Sequence, residues 1–457
     1  MTRFRLGLAL SVTVSFGTFV AVALAAPPAP GAAPAAAKPA DGKPGPAKAA
    51  PGKPADAKDA KDAKAAKPAD AKPAKPADAK PAAGANGNLV SITAANPSAF
   101  ARARETIALA GSELAKLAPG LELKKVVLVE ATGRPILSQL VDMTGDDEPD
   151  ELVFQADFAP GEVKRFNVRV GERPHAVAAQ EYKVYGRFVR ERHDDFVWEN
   201  ELVAHRMYGP DLETWAKDPL VSSGIDTWAK RTNKLVVNEW YMTDDYHQDA
   251  GQGADFYGVG KSRGCGGLGI WAGGKLHPSR NFIRSRVLAN GPIRLVFELT
   301  YAPWEVPGGA HISEVKRVIL DAGTPFNRFE STFSGGKGAL PVGIGIAKHP
   351  GGTLQVDAGT SSMRVWEPVK DTKGTPSGNL GCAVVLHPGA GLEAQATDLD
   401  YLAVTPSDAF GHLTYRVGST WDRAGRVRDA AAWAKTVENI AARAAVPLQI
   451  QLAAATK

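Results

Sequence analysis

The chain has 457 residues, 44% of them hydrophobic and 23% charged, and its 54 Lys and Arg against 49 Asp and Glu give a formal net charge of +5. The excess lies at one end: eleven Lys against six Asp between Pro27 and Gly87, with Arg3 and Arg5 before the first apolar run, which leaves the remaining body near −2. A near-neutral body without a basic stripe is a poor nucleic-acid binder, so no nucleic-acid partner is expected. Cys265 and Cys382 are too few for a disulfide scaffold and wrongly spaced for a metal knuckle. They either pair in an oxidising compartment or fill small buried positions.

In chain order, residues 1–25 read as a signal peptide. Arg3 and Arg5 precede an apolar run from Leu6 to Ala26 that carries the small-x-small step Ala23-Leu24-Ala25. Cleavage after Ala25 is favoured over retention as an anchor, so no stable membrane insertion of the mature chain is expected. The product would be exported: periplasmic, cell-surface-associated or secreted. Residues 26–87 are almost only Ala, Pro, Lys, Asp and Gly, with a Lys-Pro-Ala-Asp unit near Lys53, Lys67 and Lys75. Without branched or aromatic side chains such a segment cannot offset its ordering entropy, and a disordered tether is predicted.

Residues 88–172 carry alternating apolar patterns at Glu105 to Leu109, Lys125 to Ala131, Glu151 to Phe158 and Val163 to Val170, which predict a small β-domain. From 173 to 457 the strand signals continue through Tyr182 to Phe188, Phe196 to Met207, Lys234 to Tyr241, Phe282 to Leu288, Ile293 to Tyr301, Ile312 to Leu320 and Phe326 to Phe333. Further signals follow at Val342 to Ala347, Cys382 to Leu386 and His412 to Val417. Only Asp429 to Ala444 has a convincing helical pattern. Many strands separated by Gly and Pro predict a mainly β chain with a large antiparallel β-sandwich as its second domain.

Two segments carry chemistry. In Asp194 to Pro210, read as one strand, Trp198, Asn200, Arg206 and Tyr208 share a face, while Glu199, Glu201 and His205 share the other. The first set offers a flat ring for a sugar, an amide for hydroxyls and a guanidinium for a carboxylate. A core Trp with a salt-bridged Arg is the structural alternative. The second segment, Tyr241 to Trp271, contains Asp244, Tyr246, His247, Asp255, Tyr257, Lys261 and Arg263. Ten of the 24 residues from Gly251 to Gly274 are Gly, which predicts a long functional loop. Gly269 to Lys275 has the spacing of a phosphate-binding loop but is followed by Leu276 rather than Ser or Thr. Asp142 to Asp147 begins like a calcium loop, yet Asp147 stands where the turn Gly belongs and Val153 where the bidentate Glu belongs, so a solvated turn is preferred.

The runs Asp195-Phe-Val-Trp-Glu-Asn-Glu201, His205-Arg-Met-Tyr-Gly-Pro210, Ser223-Gly-Ile-Asp226, Tyr246-His-Gln-Asp249, Asp255 to Gly267 and Asn290-Gly-Pro-Ile-Arg294 together resemble the DUF4861 family over roughly Asn88 to Leu452. The resemblance implies a relative of the galactose-mutarotase-like β-supersandwich. It also implies a setting in the degradation of uronic-acid polysaccharides. On that basis an acidic glycan is the expected partner, and β-elimination the leading reaction. Arg206 would neutralise the uronate carboxylate, Tyr208, Tyr246 or His247 would handle protons, and His205 would support them. Trp198, Asn200, Asp244, Asp255, Tyr257, Lys261, Arg263 and Trp271 complete the substrate-binding set. A hydrolase using Glu199, Glu201, Asp244 and Asp245 is the second reading, and a non-catalytic glycan-binding protein the third. No cofactor or metal ligand set is assigned; a divalent metal is left open.

Overall fold

A computed structural model describes residues 87–173, 177–178, 181–217, 219–243 and 245–455. The predicted signal peptide and all of the tether but Gly87 lie outside the described residues. The described chain is mainly β and built from antiparallel sheets, as its alternating patterns predict.

The centre is an eight-stranded antiparallel sheet formed by Arg284–Asn290, Arg294–Val306, Ala310–Asp321, Phe326–Ser334, His412–Trp421, Pro376–Leu386, Ser362–Lys370 and Thr353–Asp357 in spatial order. Its inner strands are apolar on both sides because both faces are covered. Leu295, Phe297, Val318, Leu320, Cys382 and Val384 point into the largest core cluster. The alternate residues Val296 and Ile319 meet Val141 and Val153 of the N-terminal region. Ala383 and Val385 meet Trp433, Val437 and Ala441 of the C-terminal helix.

That helix, Ala430–Ala445, starts where the Asp429 carboxylate accepts the Ala432 N–H at 2.8 Å. It buries residues spaced four apart, the stripe that docks a helix on a sheet. Residues 88–170 build a four-stranded and a three-stranded sheet around their own core. The edge strand of the first comes from Gln449–Ala454, which pairs with Asn88–Ala95. Among the described residues no helix is long and apolar enough to cross a membrane.

Two five-stranded sheets cover the core face of the central sheet. One contains Val184–Val189, Asp195–Asn200, Ala204–Met207 and Ile225–Lys230, with Gly253–Ala254 at its edge. The other contains Cys265–Ala272 and Pro341–Ala347. Three local expectations are corrected here. Phe196 to Met207 is a hairpin, not one strand: Asn200 accepts the Leu202 and Val203 N–H groups at 2.8 and 3.0 Å and turns the chain. Lys234 to Tyr241 is not a strand but ends in the short helix Val237–Tyr241. Its start is held by the Glu199 carboxylate accepting the Val237 N–H at 2.9 Å, and Val237, Trp240 and Tyr241 share one buried face.

The third correction concerns the glycine-rich stretch, whose second half is the buried strand Cys265–Ala272. Glycine is needed at its entry for close approach: Gly264 has φ +60°, and a Cβ there would lie 2.1 Å from the Ile225 carbonyl oxygen.

Cys265 and Cys382 are disulfide-bonded, joining a covering sheet to the central one across 117 residues. Closing so long a loop restricts the unfolded chain. Cys382→Ala is expected to lower stability by about 2–4 kcal/mol in urea unfolding, with reductant causing the same loss in the parent and none in the variant. Parent and variant unfolding together without reductant would contradict this.

Candidate functional site

The hairpin turn at Asn200 reverses the face assignment made for a single strand. Trp198 lies directly opposite His205, and Val197 opposite Arg206. One face therefore carries Phe196, Trp198, Asn200, His205 and Met207 toward the central sheet. The other carries Asp195, Glu199 and Arg206 outward, where Arg206 is paired in register with Asp226 of the next strand. Val236, Val237, Trp240, Tyr241 and Tyr246 cover this outer face, packing with Val197 and Trp228.

The covered face holds a row of ionisable groups. Arg206 Nε donates to Asp195 Oδ2 at 2.7 Å, while the other Asp195 oxygen accepts the Gly209 N–H at 2.9 Å. Arg206 Nη1 donates to the Tyr246 hydroxyl at 3.2 Å, and Arg192 donates to the same oxygen while its guanidinium lies over the Tyr246 ring. His247 stacks beside Tyr246 with ring centres 4.4 Å apart. Its Nδ1 is 3.1 Å from the Asp255 carbonyl oxygen and 3.5 Å from the Asp255 carboxylate. The His247 side chain is 39% exposed, against 5% for Asp255 and 12% for Arg206, so the imidazole marks the open end of the cluster.

Burial dominates the electrostatics. It pushes Asp255 up to about 7, against the pull of Arg206. Burial and the neighbouring Asp255 carboxylate push Asp226 well above the usual carboxylate range. One Asp226 oxygen is buried without a hydrogen-bond partner, as is the Tyr241 hydroxyl. Burial opposes the charge on Arg206, but the Asp195 carboxylate holds the guanidinium firmly protonated. Tyr208 and Tyr246 are pushed up by burial, with Arg206 acting in the opposite sense, so both are neutral phenols. Clustered groups with shifted titration mark functional sites more often than chance packing does.

Of the residues singled out from sequence, Arg206, Tyr208, Tyr246, His247 and Asp255 come together here. Asp244 lies outside the described residues. Trp198 and Asn200 are fully buried and cannot meet a sugar: Trp198 Nε1 donates to Asn327 Oδ1 at 2.8 Å, and Asn200 donates to the Asp321 and Thr324 carbonyls. His205 accepts from Asn327 Nδ2 at 2.9 Å, and burial lowers it to about 3, so it is a neutral core residue.

The remaining candidates are bound up elsewhere. Glu199 is ion-paired with Lys230 in the interior, and Glu201 with Arg104. Asp245 is exposed and accepts the His247 N–H. Arg263 is buried and donates to Ser223 Oγ at 2.8 Å and to the Lys261 carbonyl at 2.9 Å, so it pins the loop; Lys261 is exposed. Tyr257 packs edge-on against His349, and Trp271 is half-buried near the end of its strand. The Asp142 carboxylate accepts N–H groups from Thr144, Gly145 and Asp147, which fits a turn. Among the described residues no group of three or more His, Cys, Asp or Glu is placed to hold a metal ion.

The profile of the family described as a domain of unknown function, DUF4861, matches residues 94–450. The chain belongs to that family. A relative, Uncharacterized protein P7 of Formosa agariphila, is 31% identical over 382 residues, which is 79% of this chain and 93% of that protein. Two solved structures are similar over 81% of this chain: a protein in the glycosyl hydrolase family 38 from Enterococcus faecalis, at 10% identity and TM-score 0.42, and an alpha-mannosidase from Enterococcus faecalis V583, at 9% and 0.37. This DUF4861 chain spans about half the length of each, 48% and 46%.

Two outcomes test the cluster. Asp195→Ala strands a largely buried guanidinium and is expected to cost about 3 kcal/mol, toward the low end of the range for breaking a buried pair because Arg206 retains some exposure; chemical denaturation measures it. Asp255 contributes stability that is full below its unfolded value of 3.8 and is lost as pH rises through about 7. Asp255→Asn is therefore expected to gain on the parent steadily across that window. Parallel stability-versus-pH curves would refute the buried-acid assignment.

Proposed function

We propose that the protein is an extracytoplasmic enzyme that cleaves uronic-acid-containing poly- or oligosaccharides by β-elimination at the Arg206 cluster. One observation carries the reading: the exposed imidazole of His247, backed by Asp255, stands beside a neutral phenol, Tyr246, whose oxygen is held by two guanidinium groups. Elimination needs a base for the weakly acidic hydrogen α to the carboxylate, a positive charge to hold that carboxylate as it takes up negative charge, and an acid for the departing oxygen.

His247 is the base, oriented through Nδ1 by Asp255. Arg192 and Arg206 supply the positive field, with Arg206 fixed in place by Asp195. Tyr246, protonated at neutral pH, is the acid. The C–H electron pair becomes the new C=C bond, the C–O bond to the leaving sugar breaks, and the leaving oxygen takes the tyrosine proton. The expected glycan comes from the setting that the family resemblance implies and from the two guanidiniums that meet at the Tyr246 hydroxyl. Export rests on the N-terminal segment.

The Asp226 and Asp255 pair favours a second reading. Two neighbouring buried carboxyls, both pushed up chiefly by burial, are the kind of pair a glycoside hydrolase uses. Product chemistry separates the two: ultraviolet absorbance from an unsaturated uronate marks elimination, and new reducing ends without absorbance mark hydrolysis. His247→Ala and Tyr246→Phe are each expected to cut the rise in absorbance by about a hundredfold or more while oligosaccharide retention persists. Parent-like turnover in both variants would remove these residues from the chemistry. Glycan retention with neither product would leave a binding protein.

A further inference from the structure

A second concentration of charge lies away from Arg206, where the N-terminal sheets, the central sheet and the C-terminal helix meet. A cavity of about 210 Å³ is lined there by Arg104, Arg294, Arg328, Arg416 and Arg443, with Glu105 and Asp321 as its acidic residues. Four of the guanidiniums have carboxylate partners. Arg294 is bound by Asp321 at 2.7 Å and Glu151 at 3.2 Å, Arg443 by Glu105 at 3.1 Å, Arg328 by Glu330 at 3.0 Å, and Arg104 by Glu201. Glu105 is shared with Arg102 at 3.0 Å. Arg416 has no side-chain hydrogen bond or ion pair among the described residues.

Two further features point to a missing acceptor. The Nε atom of Arg443 is buried without any hydrogen-bond partner, whereas that of Arg328 meets the Glu330 carboxylate at 3.0 Å. Arg328 and Arg416 also sit directly opposite one another on adjacent strands, where like charges repel at close range. A cavity that gathers five arginines, one of them without a paired carboxylate and another with an unused buried donor, is equipped to receive negative charge. Burial and then the neighbouring Arg328 work against the charge on Arg416, and Glu105 only partly offsets them.

We propose that this cavity binds a small oxyanion group, a sulfate, phosphate or carboxylate, with Arg416 as its principal counter-charge and with Arg328 and Arg443 as further donors. The planar guanidinium fork matches such oxygens in pairs, and the available volume suits a single group of this kind. Because Arg443 comes from the helix and Arg416 from the central sheet, the bound anion also fastens the helix to the sheet.

The test measures thermal unfolding of the full chain in sodium sulfate, sodium phosphate or sodium glucuronate, each against sodium chloride at matched ionic strength, in the parent and in Arg416→Gln. Sulfate stabilises many proteins by exclusion from their surfaces, so the difference between parent and variant is the readout. At least one anion is expected to raise the parent's melting temperature in a saturable manner and to lose that effect in Arg416→Gln. Response to glucuronate alone assigns the site to carboxylates, and response to sulfate or phosphate assigns it to tetrahedral anions. Arg443→Gln, in the last turn of the helix, is expected to weaken binding about tenfold, the scale of one lost charged hydrogen bond, and serves if Arg416→Gln does not fold. Equal shifts in parent and variants, or none beyond chloride for all three anions, would overturn the proposal.

Discussion

A guanidinium cannot leave water without a counter-charge, and on the covered face of the five-stranded sheet everything follows from how Arg206 meets that requirement. Asp195, one strand away, neutralises it and is fixed in turn by the Gly209 N–H. The terminal nitrogens of Arg206 stay free to donate, and one of them holds the buried Tyr246 hydroxyl, with His247 stacked beside that ring at the cluster's open end. Asp226 and Asp255 gain less from the same charge than burial takes from them, and so they keep their protons to unusually high pH. The protonation of the whole group is therefore set by one ion pair and by the depth of its burial.

The large central sheet makes that depth available. Covered on both faces, it gives the smaller sheets a flat apolar floor, and Trp198, His205 and Asn327 form the polar part of the join. The inward residues of the hairpin are fully committed to this floor. Only the outward residues remain for chemistry, so the hairpin's parity decides which side chains can act.

Much of the fold is legible in the sequence because strands that bury one or both faces announce themselves. Glu151–Phe158 and Val163–Val170 have the bounds that their alternation predicts, and Asp429 with its Ala-rich run marks the helix. The site is less legible for a specific reason. Alternation along Phe196 to Met207 is preserved on both sides of a two-residue turn, and that turn is made by Asn200, a side chain equally at home in a sugar site. Once the turn is missed, Arg206 and His205 exchange faces, and Trp198 and Asn200 seem available. Asp226 left a readable trace as the lone acid of the wholly buried strand Ile225–Lys230. Its partner Asp255 lies 29 positions further along, and nothing short of the folded loop brings the two together. Lys234 to Tyr241 misleads in another way, since Val236, Val237, Trp240 and Tyr241 have strand-forming side chains at helical spacing.

The pairing of Asn88–Ala95 with Gln449–Ala454 closes a loop of more than 350 residues. On a ribosome or at a translocation pore the first of these strands emerges long before the second, with one of its edges unpaired. The four-stranded N-terminal sheet is therefore completed only once its last strand has been made. Its open edge waits for the C-terminal strand for the whole of synthesis, although the other pairings of the N-terminal strands all lie within residues 88–170.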